Sequence, residues 1–298
     1  SSQIAAIIKI DGKSLMFPVA SFVYPIFINL DLFAAAGLTS MPKNRSEFLS
    51  AARKLTNKSK NQYGWVLPLS LQSPNGAQND VMSWVWASGK SMLKDGKPNL
   101  TNKDVISALK FIEVMYKEKL ISPGSFAKKE QEKLEEFVNG RVGMTVSSLA
   151  HINMIRDRNP SLNFTITDFP AADGYKGRRG LPYAAWGIGI SQHSKHKEEA
   201  WKLVSYLMSP EVNSKLVSIA NAFPGNVKAK PDFVTSDKLF GKGFKIFQSG
   251  YLANEFTGLP VAEELMRMLN EEIQLMLEGK QTAEQAAAKA QAKWIAEF

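Results

Sequence analysis

The run Ser14-Leu15-Met16-Phe17-Pro18-Val19-Ala20-Ser21-Phe22-Val23-Tyr24-Pro25-Ile26-Phe27-Ile28 carries the longest oily stretch of the chain, Phe17 to Phe27. Pro18, Ser21 and Pro25 break it, so it falls short of the ~18 continuous apolar residues of a membrane-crossing helix. β-branched and aromatic side chains with two prolines predict extended chain, placed near a crossing between substructures. Downstream, Asp31 to Ala36 predicts a short helix stopped by Gly37. Asn44 with Glu47 three residues later predicts a capped start for a helix over Phe48 to Leu55. Trp65 to Leu71 alternates like a strand, and Gln72 to Asn79 reads as a loop.

The same signals continue along the chain. Thr101 and Asp104 predict the cap of a helix that puts Val105, Ala108, Leu109, Ile112 and Tyr116 on one face, ending by Pro123 and Gly124. Glu130 to Val138 reads as a charged helix, Gly143 to Ser147 as a strand and His151 to Arg156 as a helix start. Asn163–Phe169 and Tyr183–Ser191 read as strands around the basic turn Asp173 to Gly180. Helices follow from Ser194 to Leu207, from Pro210, over Val261 to Leu277 and from Thr282 to Phe298. Strands alternating with helices predict an α/β fold with a largely parallel sheet.

At 298 residues the chain has room for one large domain or two of about 150. Hydrophobic residues at 44% and charged residues at 22% exclude a disordered or collagen-like chain. With no cysteine, disulfides, thiolate nucleophiles and Cys-ligated zinc are excluded together. The net charge of +9 is dispersed through helices that also carry acids, as in Lys128, Lys129, Glu130, Glu132 and Lys133, which argues for solvated faces and against nucleic acid. Lys176, Arg178 and Arg179 sit between glycines, as an exposed turn would.

Catalytic motifs are weak. Gly187-Ile188-Gly189 and Gly140 to Thr145 lack the residues of a phosphate loop, and His193 and His196 lie beside Lys195 and Lys197, where a cation would be repelled. Ser147 and Ser148 precede His151, but no Gly-x-Ser-x-Gly elbow or orienting third group accompanies them, so polar ligand contact is the better reading. Tryptophans are more suggestive. Trp186 stands among Ala184, Ala185 and Gly187, and Trp84 follows the polar Asn79 and Asp80. A flat ring beside small neighbours offers a face to a sugar's C–H surface while amides and carboxylates take its hydroxyls. Trp86 and Trp201 read as core.

Several segments together resemble the extracellular solute-binding proteins of bacterial ABC importers, in the sugar-binding group that includes maltose-binding protein. They are Gly12 to Ala20, Ile28-Asn29-Leu30-Asp31-Leu32-Phe33 and Ala36-Gly37-Leu38. Pro42 and Ser46-Glu47-Phe48 are similar to that group's P-x-T-W-x-E helix start with the aromatic replaced. Phe137 to Thr145 resembles its F-x-x-G-x-x-A-M element, and Ala200 to Leu207 with Ser209-Pro210-Glu211-Val212 its A-W-x-F-x-x-F-L-x-S-P-E helix pair. The resemblance implies a type II periplasmic-binding-protein-like fold, two α/β lobes joined by a hinge of several chain crossings. The first lobe would be residues 1–23 and 184–226, with its opening strands and helices missing, and the second 24–183 and 227–298. That truncation would leave apolar faces of the first lobe open.

Carried over by position, the ligand contacts implied are Phe22, Asn79, Asp80, Trp84, Ser147, Ser148, His151, Tyr183, Trp186, Pro224, Asn226, Glu263 and Arg267, with no catalytic or metal-binding residue and no cofactor. The implied function is a non-catalytic receptor, monomeric when complete. It would hold a carbohydrate, of oligosaccharide size, in an interlobe cleft outside the cytoplasm. It would pass this ligand to ABC permease subunits, with no transmembrane segment of its own and a lipid anchor in the missing N-terminal part. Two alternatives stand beside it: a binding protein for a non-sugar solute such as a polyamine, and a saccharide-modifying enzyme with His151 or Asp80 as base.

Overall fold

In the computed structural model, which describes residues 9–10, 13–256 and 259–298, the Phe17–Ile28 stretch becomes two strands. Gly12 of the motif run and the first eight residues lie outside the described residues. Strand β1 (Phe17–Val23) ends where Tyr24-Pro25 intervenes, and β2 (Ile26–Asn29) begins in a different sheet. Proline cannot donate to a ladder, so Pro25 marks the point where one sheet's pairing stops. Val23 and Ile26 to Ile28 are all buried, which is why the run looks continuously oily.

The second sheet collects β3 (Tyr63–Trp65), β4 (Val142–Val146) and β5 (Phe164–Thr167) in the order β3-β4-β2-β5. The first adds β6 (Gly180–Ile188), β7 (Phe223–Pro224) and β8 (Tyr251–Ala253) in the order β7-β1-β6-β8. Pairing is parallel only for β3 with β4 and β6 with β8, and antiparallel for the other four neighbours. The expected largely parallel sheet is therefore corrected to two mixed, mostly antiparallel sheets. β2 runs against both its neighbours, so alternation of strand and helix did not fix strand direction. Trp65 to Leu71 is strand only at its first residue; the rest is buried, irregular chain.

Helices follow their caps. Asn44 Oδ1 takes the Glu47 amide at 2.9 Å, and the Glu47 carboxylate reaches back to the Lys43 amide at 2.8 Å, starting α1 (Arg45–Leu55). The cap of α2 (Lys103–Lys117) is Asn102, not Thr101, with its Oδ1 on the amides of Asp104 and Val105 at 3.0 and 3.1 Å. The expected 72–79 loop ends early: Ala77–Met82 is a wide π-helical turn that carries Asn79 and Asp80 into the helix Ser83–Trp86. The charged helix α3 (Glu130–Val138) and α4 (His151–Arg158) lie where the sequence placed them. So do α5 (Lys197–Leu207), with a slightly later start, and α6 (Pro210–Ala220). Helix α7 (Lys238–Ser249), capped by Asp237, was not signalled. α8 (Ala262–Leu277) and α9 (Ala283–Glu297) close the chain.

The principal core joins α1, α2, α8 and α9 around Phe48, Trp65, Trp84, Trp86, Ile112, Leu269 and Trp294. Trp294 Nε1 donates to the Leu265 carbonyl at 2.9 Å, which pins the last helix to α8. Near β1 the packing is thinner. Leu15, Met16, Phe17, Leu203, Tyr206 and Ile219 are exposed, and Trp201, expected in the core, is 47% exposed against Phe17 with ring centroids 5.5 Å apart.

Candidate functional site

β1 and β6 run side by side as the two long strands of the first sheet, pairing Tyr183 with Val23, Ala184 with Phe22 and Trp186 with Ala20 before a bulge at Trp186/Gly187. The bulge re-aims the strand after the tryptophan. Trp186 is 57% exposed and meets the buried Phe22 edge-on, ring centroids 4.7 Å apart. β7 flanks β1 on its other side, where Pro224 pairs with Ala20, and Gly225 is required because a Cβ there would stand 1.5 Å from the Pro18 carbonyl oxygen.

Where β1 passes into β2, Tyr24 and Ala150, the residue before α4, each pack against the cluster that contains Phe22. Ser148 is buried there, its Oγ accepting the Ala150 amide at 3.2 Å, and Ser147 Oγ lies 2.7 Å from His151 Nδ1. Burial and then the Glu130 charge push the Tyr24 phenol up to about 12, so it stays protonated. Burial pulls His151 below the ordinary imidazole range, which keeps it neutral. The serine–histidine pair has the spacing of nucleophile and base, yet among the described residues no carboxylate bonds the ring to orient it.

Behind these groups stands a buried ionic cluster. Lys133 Nζ lies 2.9 Å from Asp80 Oδ2 and 2.8 Å from Glu130 Oε1, with side-chain exposures of 1% for Lys133 and 0% for Asp80. Asp80 Oδ1 and Glu130 Oε2 are buried with no hydrogen-bond partner. Burial lifts the Asp80 carboxyl above the usual range against the pull of Lys133, while both acids hold Lys133 above the ordinary lysine range despite its burial. One ammonium is thus shared by two carboxylates.

The structure therefore brings together Phe22 with Trp186, Ser147 with His151, and Asp80 with Lys133 and Glu130, whose charges act on Tyr24 and His151. Asn79 is buried one residue away, its carbonyl taking Ser83 Oγ at 2.7 Å. Tyr183 is buried in the strand pair. One candidate is corrected, and three others are held by local contacts. Trp84 is fully buried among Phe48, Trp65, Phe111 and Phe169, with centroids 4.6 to 5.6 Å away, so it is core. The Asn226 amide is consumed by local structure, Nδ2 on the Met208 carbonyl at 2.6 Å and Oδ1 on the Lys228 amide at 2.8 Å. Glu263 and Arg267 pair with each other at 3.4 Å, and Arg267 holds the Leu71 carbonyl at 3.1 Å, without contact to the cluster among the described residues. Tyr24, Glu130 and Lys133 were missed. A signal existed for two of them: Glu130 and Lys133 stand one helical turn apart and lead to the buried Phe137, so they border the buried face of α3. His193 and His196 are both exposed.

Residues 1–214 match the family of bacterial extracellular solute-binding proteins. A Brucella abortus chain named as a binding protein is 29% identical over 234 residues, 76% of this chain and 55% of its own length, so this chain spans about half of that relative. A Thermotoga lettingae ABC transporter solute-binding protein, solved with α-D-tagatose, superposes with a TM-score of 0.82 at 22% identity, covering 97% of this chain and 74% of its own. A second solved structure, CpMnBP1 with mannotriose bound, gives 0.80 at 26% identity, covering 97% and 75%. With the family model matched over most of the chain and the fold shared with that solved structure, the chain belongs to the bacterial extracellular solute-binding proteins.

Proposed function

We propose that this chain forms the greater part of a non-catalytic receptor that holds a carbohydrate between two lobes and delivers it to the permease of an ABC transporter, outside the cytoplasmic membrane. The carrying observation is the half-exposed Trp186 ring on Phe22 of β1, a strand whose continuation accepts the Leu149 amide at the Val23 carbonyl and the Ser147 amide at the Pro25 carbonyl, so that the Ser147–His151 pair follows on the same crossing. An apolar ring face next to donors and acceptors of fixed direction suits a sugar, whose surface alternates C–H patches with hydroxyls. The proposed lobes are residues 1–23 with 184–226, and 24–183 with 227–298, so that β1 and β6 form the hinge. The mannotriose bound by the 26% identical neighbour supports an oligosaccharide. No described helix is long and apolar enough to cross a membrane. The test is a thermal-shift screen of the full-length protein against a glycan library, followed by calorimetry on each hit. A ligand at ~100 times its dissociation constant adds ~2.7 kcal/mol of stability, which the screen resolves. Absence of any glycan hit, or recovery of chemically altered saccharide, overturns the reading.

A further inference from the structure

Polar side chains link α6, α4 and α7 beside the strand-crossing site. Helix α6 ends at Asn221, which takes a left-handed φ of 52°, a conformation that asparagine tolerates better than most residues. Its Oδ1 accepts Asn153 Nδ2 of α4 at 3.0 Å. Asn153 Oδ1 in turn accepts Arg156 Nη1 at 3.4 Å, and the Arg156 guanidinium grips the Asp237 carboxylate through both Nη1 and Nη2. Asp237 is itself fixed, because it caps α7 with its Oδ1 on the Leu239 amide at 2.8 Å. A guanidinium can only donate, so it takes the oxygen end of the Asn153 amide and turns the NH2 toward Asn221.

On the lobe division proposed above, α4 and α7 belong to the second lobe and α6 to the first, so this series of contacts passes from one lobe to the other at the Asn153–Asn221 bond. Packing places that bond beside the crossing strands. Ala222, next after Asn221, is buried with Ala20 and Phe22 of β1, and Ala150, one helical turn before Asn153, packs on the same cluster. β7 begins directly after Ala222. The two ends of the series differ in strength: α4 is tied to α7 by a two-pronged ion pair and to α6 by one bond between neutral amides. The neutral bond is the weaker link, and the one that parts first.

We propose that Asn221, Asn153, Arg156 and Asp237 form a strap that holds the two lobes in the arrangement seen here, so that lobe opening is set in part by a bond outside the residues that hold the ligand. The inference rests on the two-lobed reading of the protein. Loss of a neutral hydrogen bond of this kind shifts a two-state ratio about fivefold.

The chain has no cysteine, so spin labels on cysteines introduced at the exposed Lys54 of α1 and Lys202 of α5, one on each proposed lobe, report the interlobe distance without background. Double electron–electron resonance on the full chain is expected to give one dominant distance. Asn221→Gly keeps the left-handed backbone and removes the amide, so it should add a second distance and raise its share relative to the first about fivefold. Asn153→Ala should do the same, and the double variant should go no further, because both changes remove one bond. Unchanged distances in the two single variants, or shifts that add in the double variant, overturn the strap. The glycan screen separates this from the reading beneath it. Glycan binding with unchanged distances rejects the strap alone, whereas shifted distances with no glycan hit uphold the strap and reject the carbohydrate.

Discussion

Trp186 touches Phe22 edge-on, yet one ring is more than half exposed and the other buried, so adjacent aromatics on paired strands do different work. Trp186→Ala removes little packing and should lose about 1–3 kcal/mol of carbohydrate binding, tenfold to over a hundredfold, with a small change in melting. Phe22→Ala empties a buried site and should cost about 3–5 kcal/mol of stability. Calorimetry and thermal melts on both variants check the split; unchanged affinity in Trp186→Ala with a large melting drop would reject the stacking role.

Trp84 is the contrasting case. Packed against Phe48, Trp65, Phe111 and Phe169, it should cost about 3–5 kcal/mol of stability on truncation to alanine and leave the affinity of the folded fraction unchanged. Urea denaturation gives the first number and calorimetry the second. An affinity loss in a fully folded Trp84→Ala protein would return this residue to the ligand site.

Local signals explain which of these assignments could be read in advance. The Asn44–Glu47 cap, Pro210 at its helix start and the β1–β2 break at Pro25 are short-range, and all three appear in the structure. Trp84 and Trp186 each stand near polar or small residues, and only tertiary packing separates them: Trp84 falls on the inner side of a helix wedged between α1 and α2, whereas Trp186 stands on a strand with open space beside it. Lys133 reads as one charge among many in an acidic and basic helix. Its role depends on Asp80, 53 residues earlier, and no local pattern links the two. The strand directions escaped for the same reason, since β2 is set between β4 and β5 by long-range pairing.

Lys133 neutralises two buried carboxylates, so removing it alone should be severe. Lys133→Met leaves Asp80 and Glu130 facing each other without an ammonium and should cost about 3–5 kcal/mol at neutral pH. Adding Asp80→Asn to that variant should restore about half the loss, because one uncompensated charge disappears. Chemical denaturation of the two single variants and the double variant forms the cycle, and additive losses would show that the three groups do not act as a unit.

Two titrations should bound the stability of the strand-crossing site. His151 has its folded pKa depressed below 6.5, so the unfolded chain takes up a proton first, and stability falls as pH drops below 6.5 toward the folded value. Tyr24 is raised from 10.0 to about 12, so the unfolded phenol ionises first, and stability falls as pH rises from 10.0 toward about 12. Each slope is at most ~1.4 kcal/mol per pH unit, the free energy of one unit of pKa difference. Stability against pH, followed by denaturant titration in the wild type, His151→Gln and Tyr24→Phe, isolates each group from the many other titrating side chains. The glutamine variant should flatten the acid limb and the phenylalanine variant the alkaline one. Superimposable slopes in wild type and variant on either limb would show that the named group is not held in its neutral form by the packing around β1 and α4.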